Sequence, residues 1–118
     1  MRTAIVILNW NTRPLLEAFL PSLAGSIPGD AEVVVADNAS SDGSLEAVRA
    51  MFPQMRTIAF DGNYGFTGGY DRALAQMPGD TEYFVLMNSD IEVAPGWLEP
   101  LVEWMDTNPR CGACGPKL

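Results

Sequence analysis

Histidine is absent from the chain, and this narrows its chemistry more than any residue present. Without it the commonest general base and the commonest zinc ligand are gone. Any chemistry must run on carboxylates, amides, hydroxyls or a metal held by oxygen. Basic residues are few: seven Lys and Arg stand against fifteen Asp and Glu, for a net charge of −8. They are scattered, whereas phosphate neutralisation along a nucleic acid needs them clustered, so nucleic acid is excluded as a partner. Cysteine is limited to Cys111 and Cys114, a C-x-x-C pair with no further Cys or His to complete a zinc site. The context "CGACGP" is not the helix N-terminus that a redox pair favours, so both read as small strand residues. No apolar run approaches the ~20 residues of a membrane span, and "AIVILNW" is too short for a span or a signal peptide. The expectation is a soluble cytoplasmic domain, peripheral at the inner membrane face if the protein is longer.

What is present suits one folded domain. Hydrophobic residues make up 47% of the 118 and charged residues 19%, and a chain of this length buries roughly two-thirds of its unfolded surface. Continuous apolar runs predict buried strands at Thr3–Leu8, Glu32–Asp37 and Tyr83–Asn88, and Arg56–Phe60 reads as a further strand. Between them lie helical signals. Pro14 suits a first turn with Thr12 or Arg13 near the cap, and Leu15, Leu16, Phe19, Leu20 and Leu23 follow, with Pro21 expected to end or kink that helix. Ser41 or Asp42 can cap "SLEAVRAMF". The loop "DGNYGFTGG" leads into a helix around "YDRALAQM", and "PGWLEPLVEWM" predicts a helix with Pro95 near its start. On that helix Trp97 and Trp104, seven apart, read as core, and Trp10 as a wall at a strand end. "CGACGPKL" reads as a fifth strand just beginning, which makes the chain the front part of a longer protein. Strand and helix alternating at short intervals imply right-handed crossovers and an α/β fold, Rossmann-like, with three α/β/α layers and a mostly parallel sheet.

In such sheets ligands bind beyond the carboxyl ends of the strands, where strand order reverses. Three predicted strand ends carry polar clusters: Asn9-Trp10-Asn11, Asp37-Asn38 and Asn88-Ser89-Asp90. Asp37 could accept from a ribose hydroxyl or a base N–H, or with Asn38 simply form a turn. The glycine-rich Gly62–Gly69 could offer backbone N–H groups to an anion, or let a helix pack closely on the sheet. It matches neither the dinucleotide fingerprint nor a P-loop. Asn88-Ser89-Asp90 could hold Mg²⁺ or Mn²⁺ through one carboxylate plus substrate phosphates, or form an Asp-capped turn before Pro95.

The stretches "VILNWNT", "VVVADNASSDGS", "GNYGFTGGYDRAL", "YFVLMNSDIEVAPGWLEPLV" and "GACGPKL", in this order, resemble the N-terminal half of inverting family 2 glycosyltransferases with the GT-A fold, most of all rhamnosyltransferase-type members. The resemblance covers essentially the whole chain. It implies a single nucleotide-sugar-binding domain over residues 1–118, with the acceptor half lying beyond. It places Asn9 and Asn11 beside the nucleobase, Asp37 and Asn38 at the base or ribose, Asn63 in the loop that closes over the nucleotide, Ser89 near the ribose and Asp90 on a divalent cation, Mg²⁺ or Mn²⁺. Asn88 stands where an acidic residue opens the family motif, and "GGYD" replaces "GGNN". Arg72 could meet a phosphate or sit on the helix surface.

The implied donor is a dTDP- or UDP-sugar and the implied acceptor a glycan or glycolipid. The family's general base lies in the C-terminal half, so no catalytic residue is assigned. Asp61 is the one spare carboxylate at a strand end. A sheet cut at this point is expected to expose an apolar edge to a second copy. The competing readings are a non-catalytic nucleotide-binding module, a nucleotidyltransferase and a receiver-type signalling domain. The last would need an acidic pair after the first strand, where Asn9, Trp10 and Asn11 stand. A nucleotidyltransferase would want a basic glycine-rich loop there.

Overall fold

The computed structural model describes residues 2–116. Eight elements alternate: β1 (Thr3–Asn9), α1 (Arg13–Ala24), β2 (Ala31–Asp37), α2 (Ser44–Met51), β3 (Arg56–Ala59), α3 (Gly65–Ala75), β4 (Tyr83–Met87) and α4 (Glu99–Thr107). The strands form one sheet in the order β3-β2-β1-β4, and all three pairings are parallel. The order runs outward from β1 to β3 and then returns to the other side of β1. Right-handed crossovers therefore put α1 and α2 on one face and α3 on the other.

The cores follow this division. Ile5, Ile7, Val33 and Val35 pack with Leu16, Leu20 and Leu23 of α1 and Leu45 and Val48 of α2. The alternate residues Ala4, Val6, Val34 and Ala36 pack with Tyr70, Ala73 and Met77 around α3. Burial on both faces explains the unbroken apolar runs of β1 and β2, each large side chain contributing about 1.5–3 kcal/mol by burial. The α3 face is lined by small residues, so the helix sits close. A Cβ on Gly69 would come within 2.6 Å of Leu8 Cδ1 and 3.0 Å of Asn38 Nδ2. This is the packing use of glycine.

The sheet is incompletely covered at β4. Phe84 and Leu86 lie in register with Ala4 and Val6, yet are 44% and 53% exposed, because α3 packs on β1 and β2. At the opposite end of the strands, Arg2 pairs with Glu82 and Asp106, and Tyr83 donates to Asp106 at 2.7 Å, tying α4 to the sheet.

Five sequence expectations need correction. Residues 111–116 form no strand, and Lys117 and Leu118 of the expected fifth strand lie outside the described residues. Trp104 is 54% exposed rather than core. The helix starts only at Glu99, with Pro100 rather than Pro95 in its first turn, so Trp97 precedes it and the spacing of seven does not lie on one helical face. Trp97 packs on the core and donates from Nε1 to Ser26 Oγ at 3.2 Å. Pro21 does not end α1, since only one turn remains and Gly25 N closes it on Pro21 O. Finally, α3 begins at Gly65, inside the glycine-rich stretch rather than after it.

Candidate functional site

Strand order reverses between β1 and β4, which puts the crevice at the carboxyl ends of those two strands. Side-chain parity decides what each strand delivers there. Asn9 and Asp37 are register partners on the face of Ile7 and Val35, while Asn38 continues the α3 face of Val34 and Ala36. Adjacent residues of one turn thus serve opposite sides of the sheet.

Asp37 is 4% exposed and Asn9 1%. The carboxylate accepts from Asn9 Nδ2 at 2.7 Å and from Ser40 Oγ at 2.6 Å on Oδ1, and from Ser40 N at 2.9 Å on Oδ2. Ser40 Oγ in turn accepts from Asn11 N at 2.8 Å, and Asn11 Oδ1 accepts from Ser41 N at 2.8 Å. These bonds lace the β1–α1 and β2–α2 loops together. They hold Asn11 and Ala39 at positive φ, 53° and 60°, a region that non-glycine residues seldom adopt.

Asn38 works on the other side. Its Oδ1 accepts from Tyr64 N at 3.2 Å and its Nδ2 donates to Gly65 O at 3.1 Å. A buried amide thereby grips the peptide at the start of α3 by both its donor and its acceptor, which fixes the glycine-rich turn on the sheet. Asn63 adds an Asx bond, its Oδ1 accepting from Gly65 N at 2.9 Å.

The β4 end joins through Thr12. This residue is the N-cap of α1 but makes no side-chain cap. Its hydroxyl bonds Asn9 Oδ1 and lies 3.0 Å from Ser89 Oγ, spanning the crevice. Asp42 takes over the capping. It accepts from Arg13 N at 3.0 Å, from Ser44 N at 3.0 Å and from the Ser44 hydroxyl, serving the first turns of α1 and α2 together. Desolvation pushes its carboxyl upward, but the bonds from Ser44 and Arg13 outweigh it and hold the group below its usual value.

The structure therefore brings Asn9, Asn11, Asp37 and Ser89 into one network, with Asn38 and Asn63 on the α3 turn beside it. Asp90 is exposed and enters none of these hydrogen bonds or ion pairs among the described residues. Nor do three Asp, Glu, Cys or His side chains converge anywhere among them. A lone carboxylate with open lone pairs fits Mg²⁺ or Mn²⁺ where phosphates and water fill the remaining positions. Arg72 lies with its guanidinium 3.7 Å from the Tyr64 ring centre, and with Asp61 it lines a hollow of about 480 Å³ on the outer edge of β3 that Asn9, Asn11, Asp37, Asn38, Asn63, Ser89 and Asp90 do not line. Thr12, Ser40 and Asp42 were not among the expected site residues. The available signal was the run of short hydroxyl and carboxyl residues after β1 and β2, which local reasoning assigns to helix caps and turns.

Comparison with known proteins bears on the chain as a whole. The family model for Glycosyl transferase family 2 matches residues 4–117. The chain is 31% identical over 121 residues to the N-acetylglucosaminyl-diphospho-decaprenol L-rhamnosyltransferase of Mycobacterium tuberculosis, covering 95% of this chain but 39% of that protein. It thus spans about two-fifths of the length of that curated relative. The mannosyltransferase PcManGT from Pyrobaculum calidifontis, solved in complex with GDP-Man and Mn²⁺, superposes with a TM-score of 0.76 at 28% identity, over 88% of this chain and 32% of that one. S. aureus TarS 1–349 in complex with UDP-GlcNAc superposes with a TM-score of 0.79 at 22% identity, over 99% of this chain and 37% of that one. The fold is that of the GT-A glycosyltransferases.

Proposed function

Because the chain belongs to glycosyl transferase family 2, we propose that the crevice between β1 and β4 binds the nucleoside-diphosphate part of a sugar donor. In a complete enzyme that sugar passes to an acceptor hydroxyl with inversion. The observation that carries this reading is the convergence of three strand ends, through Asn9, Asp37 and Ser89, on the switch point of the sheet. Asp37 spends three of its roughly four acceptor directions within the protein. The fourth, on Oδ2, is left for a base N–H or a ribose O–H, with Asn11 beside it and Ser89 toward the ribose. Asn38 and Asn63 hold the α3 turn that closes the nucleotide side.

Asp90 would hold the divalent cation. When bound, the metal supplies Lewis-acid stabilisation of the leaving diphosphate. An acidic chain of net charge −8 repels a diphosphate, and the cation reverses that repulsion locally. The curated relative's name specifies a lipid-linked acceptor. A glycolipid acceptor for this chain follows by analogy, with the protein working at a membrane surface although no helix of the described residues is long and apolar enough to cross one.

Calorimetry with UDP, dTDP and GDP, each with and without Mn²⁺, tests the reading. At least one should bind in a Mn²⁺-dependent manner. Asp90→Ala should remove the Mn²⁺-dependent part, about tenfold or more in Kd. Wild-type affinity of Asp90→Ala in Mn²⁺ would show that the metal sits elsewhere, and no binding by any of the three would overturn the donor site.

A further inference from the structure

We propose that Thr12 and Asn9 form a one-way hydrogen-bond relay that fixes Ser89 as an acceptor, so that Thr12 is a positioning residue for the ribose. The inference rests on the donor-site reading above. Its direction follows from the buried Asp37 carboxylate, which can only accept. The Asn9 amide must turn Nδ2 toward it, as the 2.7 Å contact to Oδ1 shows, which leaves Asn9 Oδ1 facing Thr12. A carbonyl oxygen also only accepts, so the single Thr12 proton goes to Asn9. Thr12 then has lone pairs alone to offer Ser89 Oγ at 3.0 Å, and the Ser89 proton is drawn inward onto Thr12. The branch through Ser40 runs the same way: its proton goes to Asp37 Oδ1, and its lone pairs take Asn11 N and Asn9 Nδ2.

Every proton in the network therefore points toward Asp37, and Ser89 faces the crevice with lone pairs. A ribose hydroxyl donates to such a group, and a ligand lacking the hydroxyl leaves it unpaired. Thr12 spans the switch point between β1 and β4, so it also sets where the Asn88–Asp90 turn stands. A threonine at a helix N-cap normally bonds its own helix. Here that task has passed to Asp42, and the hydroxyl is released for the relay.

The test compares the best binder among UDP, dTDP and GDP with its analogue stripped of ribose hydroxyls, in wild type and variants. One hydrogen bond corresponds to roughly fivefold to tenfold in Kd. Wild type should prefer the parent nucleotide by about that factor. Thr12→Val should cut the preference to about twofold while keeping its Mn²⁺ dependence. Thr12→Ser, which retains the hydroxyl, should restore it. Should Thr12→Val fail to fold, Ser89→Ala must abolish the preference by itself. A wild-type preference retained in Thr12→Val or Ser89→Ala, or a Thr12→Ser variant as poor as Thr12→Val, overturns the relay while leaving the donor site intact. Wild type that binds no nucleotide removes the donor-site reading and this one with it.

Discussion

Replacing Asp37 by Asn changes no volume, so any loss of stability reports on hydrogen bonding alone. The carboxylate serves three donors, Asn9 Nδ2 and Ser40 Oγ on one oxygen and Ser40 N on the other. An amide has only one acceptor atom. If its oxygen stays toward Asn9, the new NH₂ meets the Ser40 N–H, donor against donor. If it turns round, the NH₂ meets Asn9 Nδ2. Either way one donor loses its partner at a site only 4% exposed. That costs about 1–3 kcal/mol, and exchanging charged for neutral acceptance in the remaining bonds costs about 1 kcal/mol more. The sum is about 2–4 kcal/mol. An unfolding entropy of about 2.1 cal/mol/K per residue over 118 residues gives about 0.25 kcal/mol/K. Asp37→Asn should therefore lower Tm by about 8–16 °C, read from reversible melts by circular dichroism and checked by urea titration. A fall below about 3 °C would mean that the carboxylate is solvated rather than committed to the strand ends, and the network as argued would be wrong.

Backbone strain gives two changes of opposite sign. Ala39, exposed at φ 60°, relaxes when replaced by Gly, and Ala39→Gly should raise Tm by about 2–4 °C, since the left-handed cost of about 1–2 kcal/mol exceeds the added chain entropy. Gly43→Ala should lower Tm by about 2–4 °C, because the strain of a Cβ at φ 76° exceeds the chain entropy that the alanine removes from the unfolded state; equal melting of the two variants would contradict the opposite signs. Asp42 supplies a pH test. Its folded carboxyl lies below the ordinary 3.8, so its stabilisation is complete above that value and is lost as pH falls through the folded value. The stability gap between wild type and Asp42→Ala should therefore be level from pH 5 to 7 and close below pH 3.8, and urea titrations showing a gap that stays level in acid would contradict the double-cap role.

The sequence by itself determined the α/β alternation, the four strands and their parallel pairing, because β1 and β2, buried on both faces, are apolar along almost their whole length and the helices between strands require crossovers. Their ends were legible to within a residue, since polar side chains cannot continue into a sheet covered on both sides. The order of motifs also identified the family, and the edge that carries Asn9, Asp37 and Ser89 followed from topology. Tertiary structure alone decided how those residues divide their labour. Asp37 and Asn38 are neighbours in sequence, yet parity sends one to Asn9 and the other to Tyr64 and Gly65. Thr12 carries every mark of a helix cap and still bonds Ser89, 77 residues away. Trp104 follows the spacing of a core residue and faces solvent, because the helix begins two residues after Trp97. Local sequence states what a side chain can donate or accept. Which partner it meets depends on where the sheet brings distant strand ends together, and that geometry exists only once the chain has folded.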